Sequence, residues 1–236
     1  AQMYFSDAQE SKSVPNYECV IEQPRSEFTE QSLARLAQIF LKNDDKSKAI
    51  SVLSRLENEA DFPQNKTFAQ SNLMKCYYEN KDYPNSVVYA EKVLANPKTD
   101  STVKSDAQII IARAAIQTGD ESKARSAYAK LQAIAKGELA AEALYYDAYF
   151  KNKDGKFEDS NLVVQKLAKN YSSYKYFGAK GLILMAKNFY GLKDSFQATY
   201  ILDNVIQNFT DFPDVVSEAQ TELDTIKREE AKTNSS

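Results

Sequence analysis

Residues 36–56 read LAQIFLKNDDKSKAISVLSRL and contain the unit that the rest of the chain repeats. Each half of this stretch has apolar residues at the three-and-four spacing of one helix face, and a polar turn separates the halves. Ala37 and Ala49 lie on the apolar sides, where a methyl group lets two backbones approach more closely than a leucine would. The stretch therefore predicts two antiparallel helices joined by a short turn.

The same unit recurs along the chain at a nearly constant period. The small residue that opens the second helix of each copy lies at Ala49, Ser86, Ala124, Ser160 and Ala198. These positions are 37, 38, 36 and 38 residues apart, a period typical of solenoid arrays. The copy that contains Ser160 is degenerate, because Asp147 and Lys151 stand where bulky apolar residues are expected, and the register of its first helix stays open.

These repeats resemble the tetratricopeptide repeat (TPR) family, which has two antiparallel helices per repeat, a Gly/Asp turn, and a small residue followed by an aromatic residue or Leu in the second helix. Gly119-Asp120 with Ala124 and Tyr128 is the best local match. The resemblance covers nearly the whole chain. It implies an all-α fold of around a dozen helices, a right-handed α-α superhelix (TPR-like solenoid) with a C-terminal capping helix.

The units are longer than the roughly 34 residues of an ordinary TPR. In this they resemble the extended repeats of bacterial cell-envelope TPR proteins, which include the Tol-Pal-associated coordinator and the outer-membrane assembly lipoproteins. The resemblance implies a location in the bacterial periplasm or cell envelope, and the alternative is the cytoplasm.

Four segments are expected along the chain. Residues 1–26 form a partial TPR-like repeat whose start is missing, with Tyr4-Phe5 ending its first helix, Ser13 as its small residue and Pro15 in the opening turn of its second helix. Residues 27–212 form five TPR-like hairpins, residues 213–232 a C-terminal capping helix, and residues 233–236 a disordered tail. The chain is therefore expected to be the C-terminal part of a larger protein.

Composition argues against several classes of function. The chain has no His, and so it lacks the commonest general base and the usual zinc ligand. A formal net charge of −3 gives no global electrostatic case for nucleic acid, and no apolar run approaches the roughly 20 residues that span a bilayer. We expect no enzyme activity, no cofactor or metal, no nucleic-acid partner and no membrane-spanning segment in this chain.

Two further residue classes have structural interpretations. Four aspartates occupy equivalent places before second helices and are expected to cap them, at about 0.5 to 2 kcal/mol each. They are Asp45, Asp82, Asp120 and Asp194. Cys19 and Cys76 are expected to be small buried side chains, because segments two repeats apart cannot form a disulfide.

The candidate binding residues lie on the first helices. TPR-like arrays expose alternate positions of every first helix on a concave inner face. By the repeat register these include Lys75, Tyr78, Arg113, Ile116, Tyr145, Tyr149, Lys187 and Tyr190. Cations among tyrosine and aliphatic side chains suit an acidic, hydrophobic peptide, and the alternative is an ordinary solvated helix surface.

These features favour a non-enzymatic scaffold for protein–protein interaction, a TPR array that binds a partner segment on its concave face within a larger bacterial envelope protein. The fold alone names no partner. The alternative is a structural or self-assembling spacer module, which would make the chain a homo-oligomer.

Overall fold

The computed structural model describes residues 10–233, in which α-helices are separated by short turns. In chain order the helices are α1 (Glu10–Glu22), α2 (Thr29–Lys42), α3 (Lys46–Glu59), α4 (Pro63–Glu79), α5 (Tyr83–Ala95), α6 (Ser101–Thr118), α7 (Glu121–Ile134), α8 (Gly137–Lys153), α9 (Phe157–Asn170), α10 (Lys175–Gly191), α11 (Ser195–Asn208) and α12 (Pro213–Thr233). Residues 10–233 thus form twelve helices and no strand, which confirms the predicted all-α fold.

The chain forms two compact units, residues 1–124 and 125–236, and the boundary falls inside α7. In the first unit, consecutive helices from α1 to α6 contact each other, and α4 also contacts α6. In the second unit, consecutive helices from α8 to α12 contact each other, and α10 also contacts α8 and α12. The contacts that skip a helix join first helices to first helices, as in stacked helical hairpins.

In each of the five hairpins, the first helix ends in a turn with the same backbone hydrogen bond. The residue after the turn donates its backbone N–H to the carbonyl five residues earlier, at 2.9 Å in every turn. The donor–acceptor pairs are Asp45–Phe40, Asp82–Tyr77, Asp120–Ala115, Lys156–Lys151 and Asp194–Phe189. The preceding residue adopts the left-handed conformation, with φ between 57° and 74°, at Asp44, Lys81, Gly119, Gly155 and Lys193. This is the Schellman arrangement, which satisfies the last carbonyls of a helix.

The turn at Gly155 settles the register of the degenerate fourth hairpin. Ala148 precedes Gly155 by seven residues, as Ala37 precedes Asp44, and both alanines are fully buried. Asp147 and Lys151 therefore do occupy bulky apolar positions, and they form an ion pair with each other.

The four predicted aspartate caps are present. Each accepts the backbone N–H three residues ahead, at 2.9 to 3.2 Å. The fourth hairpin has Lys156 in the equivalent place, and a lysine side chain cannot accept such a bond.

The small residues that open the second helices are fully buried, as the repeat register predicts, and Ser13 of α1 is buried in the same way. Ser86 and Ser160 donate their hydroxyl groups to the first-helix carbonyls of Met74 and Ala148, at 3.0 and 2.8 Å. A serine is tolerated here because its polar group finds an acceptor.

The capping helix α12 packs as predicted. Val215, Ala219, Leu223 and Ile226 are at most 2% exposed and join the core of α10 and α11. Charged and polar side chains cover the rest of the helix, which gives the end of the array a solvated surface.

Two predictions at the N-terminal end are wrong. Pro15 lies inside α1 and not in its opening turn, because the helix already includes Glu10. Cys19 is exposed, whereas Cys76 is buried as predicted, and both are free thiols. The expected end of a helix at Tyr4-Phe5 and all of the tail after Thr233 lie outside the described residues.

Candidate protein-interaction surface

The eight predicted binding residues fall on contacting pairs of first helices. In the first unit, Lys75 and Tyr78 lie on α4, while Arg113 and Ile116 lie on α6. In the second unit, Tyr145 and Tyr149 lie on α8, while Lys187 and Tyr190 lie on α10. Because α4 contacts α6 and α8 contacts α10, each unit brings its four candidates onto adjacent helices. We call each set of four the first-helix face of its unit.

Lys75 and Lys187, two of the predicted binding residues, form ion pairs within the chain. Lys75 lies 2.7 Å from the carboxylate of Asp106 on α6. Lys187 lies 2.7 Å from the carboxylate of Glu222 on α12. In both cases the carboxylate comes from the next first helix along the array, so these lysines help to join neighbouring repeats.

The first-helix face of the first unit is partly open to solvent. Tyr78, Arg113 and Ile116 are half-buried, and the ring of Tyr78 packs against Tyr83 at 5.6 Å between centroids. Half-buried aromatic and aliphatic groups of this kind can contact a ligand while staying anchored in the protein.

A polar groove of about 450 Å³ lies between α2 and α4, and Arg35, Gln38 and Phe62 are on its lining. Gln38 occupies the register position of Lys75 in the preceding repeat. Glu30 at the base of this groove accepts hydrogen bonds from the backbone N–H groups of Asp61 and Phe62. These bonds fix the start of α4, where a negative charge suits the helix dipole.

The first-helix face of the second unit contains a cluster of aromatic rings. Tyr145 lies 5.1 Å from Tyr146 and 6.1 Å from Phe177 of α10, measured between centroids. Tyr149 lies 5.5 Å from Phe150. We call these five rings the α8 aromatic cluster. Each ring contacts at least one other ring of the cluster. Such contacts restrict the orientation of the rings, which lowers the entropy lost on binding a ligand.

Two lysine ammonium groups lie over rings of this cluster. The ammonium groups of Lys180 and Lys153 lie 5.9 Å from the ring centroids of Tyr145 and Tyr149 respectively, within the range of cation–π attraction. Burial raises the pKa of Tyr145 well above its ordinary value. The hydrogen bond that Tyr190 donates to Glu229, at 2.6 Å, raises the pKa of Tyr190. Both phenols are therefore neutral at physiological pH, and Tyr190 uses its one hydroxyl proton in the hydrogen bond to Glu229.

Sequence reasoning missed the carboxylates that pair with this surface, Asp106, Glu222 and Glu229. A signal was present, because each lies 31 to 39 residues after its partner, close to one repeat period. A search for opposite charges one repeat apart would have found them.

The described part of the chain was also compared with the requirements of metal sites and of membrane-spanning helices. Residues 10–233 contain no group of three or more Cys, Asp or Glu residues placed to hold a metal ion. None of the helices described is long and apolar enough to cross a membrane. A buried polar site around Asn188 consists of hydrogen-bonded amide and hydroxyl groups.

No known protein-family model matches the sequence, and no curated protein matches it. Solved structures do resemble the fold. MamA is 14% identical, with a TM-score of 0.60, over 80% of this chain and 96% of MamA. PilW, described as a widely conserved type IV pilus biogenesis factor, is 17% identical, with a TM-score of 0.54, over 94% of both chains.

A tetratricopeptide repeat protein from Parabacteroides merdae ATCC 43184 is 9% identical, with a TM-score of 0.52, over 93% of this chain and 95% of that protein. At such low identities the likeness concerns the fold. The protein therefore has a TPR-like solenoid fold, as the sequence predicted.

Proposed function

We propose that this chain is a non-enzymatic interaction scaffold that binds a segment of a partner protein on its first-helix faces. The α8 aromatic cluster is the observation that carries the proposal, since it presents half-buried, pre-oriented tyrosines on a first helix. Tyrosines in such settings are the usual anchors of protein interfaces.

The ion pairs of Lys75 and Lys187 indicate which side chains of a partner would contribute most to binding. A partner's carboxylate would compete for Lys75 and Lys187 with Asp106 and Glu222, and an exposed ion pair contributes only about 0.2 to 1 kcal/mol. An apolar or aromatic side chain packed on the tyrosines contributes more. The partner segment is thus an apolar one, with acidic residues adding selectivity rather than affinity. Nucleic acid is not an expected partner.

An alternative role as a self-assembling spacer is favoured by apolar side chains exposed on second helices. Phe196 and Tyr200 of α11 are 79% and 59% exposed, and Leu162 of α9 is 63% exposed. Exposed apolar groups of this size can mark association surfaces. A homo-oligomer that dissociates when Phe196 is replaced by Ser would support this role.

The proposed location is the bacterial periplasm or cell envelope. Two observations support it, the resemblance of the long repeats to those of envelope proteins, including the Tol-Pal-associated coordinator and outer-membrane assembly lipoproteins, and the fold shared with the pilus biogenesis factor PilW. Fractionation of cells that express the natural protein tests this location, and recovery in the cytoplasmic fraction would contradict it.

Peptide selection tests the scaffold proposal. Peptides selected from a displayed library on the full chain should bind variants Tyr78→Ala or Tyr149→Ala about 5- to 30-fold more weakly, as expected for an interface anchor that contributes about 1 to 2 kcal/mol. Fluorescence anisotropy gives the Kd values.

Exposed apolar positions on second helices provide matched controls. Val88→Ala and Leu162→Ala remove side chains that are 48% and 63% exposed and should leave the Kd unchanged. Unchanged binding to both tyrosine variants, together with weakened binding to Leu162→Ala, would move the site to the second helices and contradict the proposal.

A further inference from the structure

The surface that holds α12 is built for an acidic amphipathic helix. The apolar stripe of α12, from Val215 to Ile226, is at most 2% exposed and packs on α10 and α11. We call the receiving surface of these two helices the α12 seat. The α12 seat corresponds to the side of the preceding hairpin (α8 and α9) that receives the next first helix, since α8 contacts α10 and α10 contacts α12.

Five polar contacts across the seat have the same polarity. In five contacts a carboxylate of α12 accepts from a lysine or hydroxyl group of the seat. They pair Tyr176 with Asp214 at 2.9 Å, Lys180 with Glu218, Lys187 with Glu222 at 2.7 Å, Tyr190 with Glu229 at 2.6 Å, and Ser195 with Glu230 at 2.7 Å. The contacts extend along nearly the whole length of α12, so charge and shape together fix its register.

Only a short connection joins α12 covalently to the rest of the array. Residues 209–212 join α11 to α12, and each of the five contacts lies beyond that connection. Every copy of the chain carries the same helix, and therefore a second copy offers a ligand that fits the seat at every one of these positions.

We propose that the α12 seat is a homotypic docking site, which accepts α12 from a second copy of this chain in exchange for its own. A tethered helix has an effective concentration of the order of millimolar. The helix from the same chain is therefore favoured in dilute solution, and exchange becomes substantial as the protein concentration approaches that value. This inference is independent of what binds the first-helix faces.

Charge reversal separates exchange from other modes of association. One full-length variant carries Lys180→Glu and Lys187→Glu in the seat, and a second carries Glu218→Lys and Glu222→Lys in α12. Within either variant, like charges oppose each other across the seat, which is unfavourable. In an exchanged pair of the two variants, opposite charges meet in both seats.

Each variant alone should be a monomer with a lowered Tm. An equimolar mixture should form a 1:1 complex with twice the monomer mass by light scattering, and its Tm should rise above that of either variant. Two monomers in the mixture, each with an unchanged Tm, would overturn the proposal.

A chain that carries all four substitutions is the matched control. It restores opposite charges within one molecule and should be a monomer with a Tm close to that of the unsubstituted chain. Dimers of this control at the same concentration would also contradict the proposal, because association would then not depend on exchange. If the double variants fail to fold, the milder pair Lys187→Glu and Glu222→Lys, at side chains 35% and 29% exposed, gives the same test.

Discussion

Two joints between successive hairpins have the same register and opposite chemistry. Between the first hairpin (α2 and α3) and the second hairpin (α4 and α5), apolar side chains pack together. The core there includes Cys76 and Ala49, with Leu41 and Ile50 packed against it. Between the fourth hairpin (α8 and α9) and the fifth hairpin (α10 and α11), polar residues occupy the equivalent positions. In the same order they are Asn188, Ser160, Asn152 and Asn161. The same backbone arrangement is thus stabilised by apolar packing in one unit and by a hydrogen-bonded network in the other.

The polar joint is satisfied by a closed set of partners. Asn188 is fully buried, and its amide nitrogen donates to Ser160 and Asn161 at 2.9 and 2.8 Å. Its amide oxygen accepts from Asn152 at 2.7 Å. Three helices contribute to this set, so the network specifies one geometry, whereas apolar residues of suitable volume can repack.

The largest effect is expected when a polar group enters the apolar joint. Cys76→Asn should lower the free energy of unfolding by about 3 kcal/mol, since a buried amide would lack partners and the larger side chain would overpack the core. Urea denaturation followed by circular dichroism measures the change. Adding Leu41→Asn, Ala49→Ser and Ile50→Asn should recover part of the loss, and purely additive destabilisation would show that the two joints do not share one geometry.

The reverse change in the polar joint should be somewhat milder. Asn188→Cys should destabilise by about 2 kcal/mol, because three polar partners lose a hydrogen bond and two of them, Ser160 and Asn161, are buried. The same denaturation experiment applies. A variant as stable as the unsubstituted chain would mean that the network contributes nothing beyond filling space.

The buried carboxylate of Glu57 in the first unit should make the stability of the fold depend on pH. The uncharged network around Asn188 should not add such a dependence. Burial alone would raise the pKa of Glu57, but the hydrogen bond and charge of Lys92 and the hydrogen bonds from Gln70 and Tyr89 outweigh it and hold the pKa below its ordinary value. A carboxylate whose pKa is lower in the folded state stabilises the fold at pH values above its unfolded-state pKa. This stabilisation is lost as the pH falls through the folded-state pKa.

Glu57→Gln should therefore destabilise by about 1 to 2 kcal/mol at neutral pH, through loss of charge-assisted hydrogen bonds. The difference in Tm from the unsubstituted chain should shrink as the pH falls through the lowered pKa of Glu57. For Asn188→Cys the corresponding difference should not depend on pH in this range. A constant gap for Glu57→Gln would contradict the assignment of the charged carboxylate.

The smallest effect concerns the turns that end the first helices on either side of the polar joint. Lys193 adopts φ 68° and Gly155 adopts φ 72°, a region that costs a residue with a side chain more than glycine. Lys193→Gly should stabilise by about 0.5 to 1 kcal/mol.

The opposite change provides the control. Gly155→Lys should destabilise by a similar amount through backbone strain alone, because a Cβ at Gly155 would have no atom within 4 Å. Denaturation curves that shift in the same direction for both variants would argue against a shared turn geometry.

Features set by local spacing could be predicted from the sequence. The small residues, the aspartate caps and the capping helix depend on helical periodicity and on bonds that span a few residues, and all were found as expected. The register of the fourth hairpin could not be predicted, because Asp147 and Lys151 obscure the apolar pattern while the left-handed turn at Gly155 fixes it.

Features that depend on side chains a repeat apart were missed. The partners of Asn188 lie 27 to 36 residues away, and the carboxylates that neutralise Lys75 and Lys187 lie 31 and 35 residues away. Helical periodicity within one repeat contains no information on such pairs. For the same reason the predicted binding face did not include the carboxylates that neutralise its lysines.

Site-specific photo-crosslinking tests most directly whether the partner lies on the first helices. A benzophenone side chain would replace Tyr78, Tyr149 or Tyr190 on first helices and, in matched variants, Val88, Leu162 or Tyr200 on second helices. With a selected peptide at saturation, the first-helix variants should crosslink and the second-helix variants should not. Crosslinks confined to the second-helix positions would contradict the assignment of the binding surface.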